Sequence, residues 1–410
     1  MTTIAGSSTR SDLSHDAGPA PVADRTSEGA PSASADRPDA LVDVVRAIPA
    51  ECYENPTWRG IAALARDAAL YAAVIWALVV VDSPWLLLPL WALSGLVVSA
   101  LFILAHDAAH GSLFASRKLN SLVGHLAMLP AWHVYEGWVL GHNRLHHGHT
   151  VRQGMDFVWH PLTPAEFAAL PRWKQLRHKI EWSPVGGGLY YLRDVWWNKM
   201  IAFDPPSKWR DAIRSDRRYV GVFVLLAGLV LGWVGWVMHG SVGGALWTVA
   251  KALVGPFVAF CFVIGFVVHL HHIDPKIRWW PRREWTRFRG QMEGTTVLWV
   301  PRWLNFFLHN IFVHTPHHVD MRIPYYHLPA AHEAIKAAFP GVVEERPFSL
   351  RDFVENTRAC KLYDFEAGRW LTYEEGERQL RDGRAGLAEG HWVGTTRPRS
   401  ERGRSHTVTA

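Results

Sequence analysis

The sequence predicts an all-α integral membrane protein: four transmembrane helices in two hairpins, with a histidine-rich helical cap on the cytosolic side. Three observations predict it. Four apolar runs, 61–81, 85–105, 220–238 and 252–270, are each about as long as a helix needs to cross a hydrocarbon core. The chain holds 22 Trp, many beside those runs, as in the aromatic belts of a bilayer surface. Its positive charges fall in the long polar segments and are absent from the short links.

The length of 410 residues would by itself suggest two or three soluble domains, but the apolar runs override that prior. The first pair is separated only by Asp82, Ser83 and Pro84, a link that makes a hairpin. Arg66 and Asp67 near the start of the first run are expected to snorkel to the interface. In the second pair, Lys251 is expected to mark the outer end of the last run, and Pro256 to kink it. The polar segment 106–218 carries fifteen Lys and Arg, while the links after 81 and 238 carry essentially none. Positive residues stay inside, so both termini and the large polar segments are expected in the cytoplasm. Segment 121–140 is moderately apolar, but its histidines, Glu136 and Pro130 make it a poor span and an interfacial helix instead.

Residues 1–45, rich in Ser, Ala, Pro, Asp and Gly, read as a disordered tail, with no apolar core of a signal peptide. Residues 46–345 form the membrane domain, 346–382 a C-terminal cytosolic segment, and 383–410 a second loose tail. A net charge of +6 fits an anionic membrane surface rather than nucleic acid, because the cations flank apolar spans. Cys52, Cys261 and Cys360 are far apart, which excludes a disulfide framework or a CxxC metal site.

The chemistry lies among 23 histidines, eleven of them in four tight sets. His106 and His110 form "HDAAH". His142, His146 and His147 form "HNRLHH". His269, His271 and His272 end the fourth run as "HLHH". His314, His317 and His318 form "HTPHH". Histidines three or four apart share a helix face, so His106/His110, His142/His146 and His314/His318 can each aim two imidazoles at one point. His147 and His317 point partly aside. Eight histidines are too many for one tetrahedral zinc and suit two metal ions with open positions. No HExxH motif suggests a zinc protease. Imidazole accepts several metals; beside a bilayer of unreactive C–H bonds, a redox-active iron pair working with O2 is the reading of choice.

In order and spacing, "HDAAHGSL", "GHNRLHH" and "HTPHH" resemble the three histidine boxes of the membrane fatty acid desaturases. "HNIFVHTPHHVDMRIPYYHLPAA" (309–331) and "HLHHIDPKIRWW" (269–280) are similar to the Δ12/ω6 and ω3 acyl-lipid branch, and the longer second box to its bacterial members. The resemblance covers roughly 60–340. It implies a non-haem diiron centre held by His106, His110, His142, His146, His147, His314, His317 and His318. A further ligand ends the fourth span: His272 aligns best, with His269 a rival one turn earlier. His309 and Asn310 are expected nearby, and Asp107, Asp156 and Asp320 are candidates to orient imidazole N–H groups. The implied reaction is O2-dependent insertion of a cis double bond into an acyl chain, using electrons from an external donor such as ferredoxin. The acyl carrier is a membrane lipid or a thioester. No side-chain general base is required.

A sister oxygenase on the same scaffold is the nearest alternative: a hydroxylase, acetylenase or carotenoid ketolase. A metal-binding or transport protein is the second, but spans nearly free of ionisable groups argue against it. His125, His133, His149 and His160 fall outside the boxes and read as interfacial or hydrogen-bonded. His15, His391 and His406 read as exposed tail residues. The Trp pairs 196–197 and 279–280 read as interfacial anchors in preference to channel walls. The basic residues of 172–218 suit either an acidic electron donor or lipid headgroups.

Overall fold

The computed structural model describes residues 40–383. The tails expected at the two ends lie mostly outside these residues, as do His15, His391 and His406. Residues 41–45, read as tail, belong to helix Leu41–Ala47, which buries Val44 beside Ile335.

Four helices are long and apolar enough to cross a membrane: Thr57–Val80, Pro84–His110, Ser207–His239 and Val242–His272. They form the two expected hairpins. Pro84 opens the second span, where a missing N–H costs nothing. Gly240, at φ +63, ends the third, and Ser241 caps the fourth through the Gly244 N–H. The second and fourth spans are the inner pair, with 56% of the apolar window buried in each. The first and third bury 28% and 11% and form the outer face. On the third, Leu225, Leu226, Leu229, Val230 and Trp233 are all exposed. That stripe would aggregate in water and is at home against lipid tails.

The helices outrun the apolar stretches that reveal them. The second span continues to His110 and stops there because Gly111 takes the left-handed conformation, φ +75. The fourth begins at Val242, ten residues before its expected start, and carries on through His272. Hydropathy marks the hydrocarbon crossing, whereas the backbone ladder persists past it. Lys251 therefore does not mark where the helix begins, although its side chain reaches the link of the first hairpin. It is fully buried inside the fourth span, its Nζ 2.6 Å from Asp82 Oδ1 and 2.9 Å from Val81 O, and so ties the two hairpins together. Asp67 does not snorkel either. It is buried in the first span, where His309 and Arg66 satisfy its carboxylate.

The inner spans approach backbone to backbone at Gly95, where a Cβ would lie 2.8 Å from the Ala259 carbonyl oxygen. Beyond that crossing, Phe102 meets Trp138 and Phe260 edge to face at 4.8 and 5.1 Å. This cluster joins the second span, the fourth and the cap in one core.

Segment 121–140 is not one interfacial helix. Helix Arg117–Met128 exposes Leu122 and Leu126, as an interfacial element should, but Pro130 and Trp132 (φ +52) break the chain. The remainder turns inward and buries Trp138. Of the Trp pairs, Trp197 is half exposed and Trp196 packs on Phe257. Trp279 and Trp280 are buried, which removes them from the interface. A Tyr363 hydroxyl on the Trp279 N–H and an edge contact with Trp370 hold Trp279 in the cap.

The cap contains short helices and two small strand pairs. β1 (Val297–Trp299) runs parallel to β2 (Glu345–Pro347), and β3 (Leu362–Asp364) antiparallel to β4 (Arg369–Leu371). The C-terminal helix Tyr373–Arg381, fastened by a Thr372/Glu375 capping box, returns to helix Arg172–Glu181. There Tyr373 Oη lies 2.8 Å from His178 Nδ1. Burial, then Lys361 and other cations, pulls the His178 pKa from 6.5 to about 3. The unfolded chain binds that proton and the folded one does not. This stability is complete above pH 6.5 and declines as pH falls towards 3. Hydrogen exchange across Tyr373–Arg381 should accelerate below pH 6.5, after correction for intrinsic rates. In a His178→Phe variant, that acid response should flatten.

Candidate metal centre

The boxes converge at the ends of the inner spans. His106 and His110 come from the last turn of the second span. His142, His146 and His147 come from Val139–His149, His272 from the end of the fourth span, and His314, His317 and His318 from helix His314–Val319. Their ring nitrogens form two groups. His106, His110, His142, His147 and His317 make one, and His146, His272, His314 and His318 the other, with all candidate atoms in a group within 4.8 Å of one another.

The partition differs from simple helical spacing. His142 and His146 were expected to aim at one point, yet they serve different groups. The backbone over Val139–His146 is a π-helix, and the His147 N–H donates to the His142 carbonyl, five residues back. The widened turn sets His147 Nε2 3.2 Å from His142 Nε2 and leaves His146 to the second group.

In the first group, His106 Nε2 stands 2.9 Å from His142 Nε2 and 3.3 Å from His110 Nε2. In the second, His314 and His318 Nε2 are 3.0 Å apart. Nitrogens bound to one ion at about 2.0–2.1 Å stand about 3 Å from each other, so the spacing fits shared metal. The opposite ring nitrogens fix the tautomers. His146 Nδ1 lies 2.7 Å from Asp156 Oδ1, an acceptor only, so it carries the proton and Nε2 keeps its lone pair. The Gly294 carbonyl does the same for His272 Nδ1 at 2.9 Å, and Asp107 for His106 Nδ1 at 3.2 Å. Gln291 donates to the His147 carbonyl, which turns its Oε1 towards His318 Nδ1 at 2.8 Å.

Burial, then the neighbouring imidazoles, holds the pKa values of His142, His147, His314, His317 and His318 well below 6.5. Neutral imidazole is the form that binds metal. Burial raises the Asp156 carboxyl, but His146 and the Val151 N–H outweigh it and hold it below the usual range. The His146 Nδ1–H thus faces a carboxylate held in its acceptor form.

The remaining candidates sort clearly. His269 lies among Trp159 and Phe353, away from both groups, while its rival His272 is in the second. Asp107 and Asp156 touch imidazoles as anticipated. Asp320 does not: it accepts from Tyr53 and Arg322, because helix His314–Val319 ends before it and turns the side chain away. His309 pairs with Asp67, and Asn310 with Asn305 and the Tyr325 carbonyl. His133 is hydrogen-bonded between Ala131 O and Tyr191, His125 pairs with Asp216, and His149 with Arg152.

Sequence reasoning missed Gln291, Gly294, Thr150 and the stacking of His271 on a histidine of the second group. Thr150 Oγ1 donates to the His146 carbonyl and lies 3.2 Å from His318 Nδ1. His271 stacks on His314, with centroids 3.6 Å apart. A lone Gln or Thr in a loop carries no spacing signal.

Between the inner spans and the two groups lies a narrow apolar cavity of about 30 Å³. Phe102, Ile103, Trp138, Ile264, Val267 and Ile311 line it, with His106, His142, His146, His272 and His314 at its polar end.

Four long apolar helices and two histidine groups facing an apolar cavity define an integral membrane protein with a centre suited to two metal ions. Residues 83–347 match the family model described as fatty acid desaturase, and the chain belongs to that family. It is 31% identical over 329 residues to an sn-1 oleoyl-lipid 12-desaturase of Picosynechococcus sp., covering 80% of this chain and 90% of the relative. The chloroplastic omega-6 fatty acid desaturase of Arabidopsis thaliana is 29% identical over 80% of this chain and 70% of its own. An sn-2 acyl-lipid omega-3 desaturase (ferredoxin) of Helianthus annuus is 33% identical over 74% and 68%.

Proposed function

We propose that this enzyme inserts a cis double bond into an acyl chain of a membrane lipid, in the manner of a Δ12/ω6 desaturase, with O2 as oxidant and electrons from a ferredoxin-type donor. His106, His110, His142, His147 and His317 would hold one iron, and His146, His272, His314 and His318 the other. When bound, the irons supply the redox chemistry of the balance R–CH2–CH2–R′ + O2 + 2 e− + 2 H+ → R–CH=CH–R′ + 2 H2O.

The observation that carries the reading is the pair of histidine groups at the ends of the inner spans, both of which border a narrow space lined by apolar side chains of those spans. A methylene chain offers no polar handle, so its position is set by how deeply it enters and by the wall it meets. Phe102 and Trp138 close the space beside His106 and His142 and keep bulk water from the reacting carbons. The chain's own part is to hold the acyl segment, fix the ring tautomers and exclude solvent. The distribution of positive charge supports a cytoplasmic centre, accessible to a soluble donor.

The Δ12 position draws support from the Picosynechococcus relative, whereas the Helianthus relative is named for ω3 desaturation. Expression in a bacterium with monounsaturated membrane lipids and a competent ferredoxin system, followed by gas chromatography–mass spectrometry, tests the reading. A new diene supports it and locates the bond. A hydroxylated product, or no oxidised acyl chain from an iron-loaded protein, overturns it.

A further inference from the structure

One strongly basic surface lies directly behind the second histidine group. Residues 276–289, between the fourth span and the Gln291 turn, hold Lys276, Arg278, Arg282, Arg283, Arg287 and Arg289 against one acid, Glu284. Arg282, Arg283 and Arg287 are exposed. Lys276 is neutralised by Glu344, and Arg278 meets Glu284 at 3.2 Å. Arg152, Arg282, Arg287 and Arg289 pair with no carboxylate among the described residues. Two of the arginines are held in place by aromatic faces: Arg289 lies 4.2 Å from the Trp280 ring centroid and Arg152 5.3 Å from that of Trp285.

The patch connects inward by few bonds. Trp285, half-buried within it, donates from its indole Nε1 to the Thr150 carbonyl at 2.8 Å. Thr150 Oγ1 in turn touches the His146 carbonyl and His318 Nδ1. Gln291, two residues past Arg289, bonds His318 directly. In segment 172–218, suggested by composition alone as the donor site, the exposed Arg172, Lys208 and Arg214 show no such connection to a histidine group among the described residues, and Lys199, which reaches the Phe157 carbonyl beside Asp156, is buried.

The geometry points to the Arg152/Arg282/Arg287/Arg289 surface as the docking site of an acidic one-electron carrier protein of ferredoxin type, with Trp285 and Thr150 as the inward route to the second histidine group. This inference rests on the proposed desaturase reading. The donor loses one electron per encounter, so two encounters supply the two electrons of the balance above. Unpaired cations around an aromatic centre favour an acidic partner and speed its approach, an effect that salt should screen.

The test uses the full chain, iron-loaded, in phosphatidylcholine nanodiscs, with an acidic [2Fe–2S] ferredoxin as probe. At low salt, Arg282→Glu/Arg287→Glu should weaken ferredoxin binding about tenfold or more, and the difference should shrink at about 0.5 M salt. Arg172→Glu/Lys208→Glu on the rival surface should leave binding unchanged. Trp285→Phe should keep the affinity but slow oxidation of pre-reduced ferredoxin at saturation, read from the carrier's own absorbance. Unchanged binding by the first double variant overturns the proposal, as does an equal loss from the second. Loss of affinity only for phosphatidylglycerol vesicles also overturns it and makes the patch a lipid contact. Iron content and acyl products of the same preparations separate the two readings. Iron and a diene without ferredoxin binding here sink the docking site alone, whereas neither iron nor product sinks the parent reading.

Discussion

Replacing His146 with alanine is expected to abolish product formation and to lower the metal content from two ions per chain to about one. His146 belongs only to the second histidine group, which would keep His272, His314 and His318. The first group would retain all five members. The substitution also takes one of three hydrogen-bond donors from the buried Asp156 carboxylate and leaves it the Val151 and Val158 N–H groups. Removing a hydrogen-bond partner from a buried polar group costs about 1–3 kcal/mol, so part of any loss could reflect misfolding. Two comparisons separate the effects. His146→Gln keeps an amide donor that can face Asp156 and should recover much of the lost thermal stability without recovering activity. His142→Ala should deplete the other ion. Elemental analysis by mass spectrometry and thermal scans in detergent read both quantities. Two ions retained in His146→Ala would sink the proposed partition of ligands.

The same residues show how far the chain could be read without coordinates. The four spans were legible because twenty apolar residues in a row leave few alternatives. Their ends were less so, because a helix does not stop where hydrocarbon does: His110 and His272 lie on the continued ladder. The boxes were legible as sets, and the His106/His110 and His314/His318 pairings followed from helical spacing. The His142/His146 pairing failed because a π-helix changes which residues share a face, and nothing in "VLGHNRLH" announces that change. Trp279 and Trp280 were assigned to the interface on composition, but their burial depends on Tyr363 and Trp370, more than eighty residues further on. Asp67 and Lys251 illustrate the same limit. Each looked like a boundary marker, and each is a buried ion whose partner comes from another part of the chain.

Asp156→Asn is expected to weaken metal binding at the second histidine group by about 10–100-fold, the range for loss of a carboxylate behind a ligating imidazole. Asp156 Oδ1 accepts from His146 Nδ1 at 2.7 Å and the Val158 N–H at 3.1 Å, and Oδ2 from the Val151 N–H at 2.9 Å. Asparagine has one acceptor oxygen for these three donors. If that oxygen stays on the backbone, the amide N–H2 faces His146 Nδ1. The ring must then accept there, which moves its proton to Nε2, the atom needed for metal. If the oxygen stays on His146, a backbone N–H is left buried and unpaired. Either way the second site weakens while the first keeps its own support from Asp107. Chelator titration of the iron-loaded variant should show one ion leaving early and one late, where the parent protein loses both late. Excess iron should restore turnover, because the ligands themselves are intact, and this rescue separates a weakened site from a misfolded chain. Parent-like retention of both ions would mean that Asp156 orients nothing, and that the tautomer of His146 is set by the metal alone.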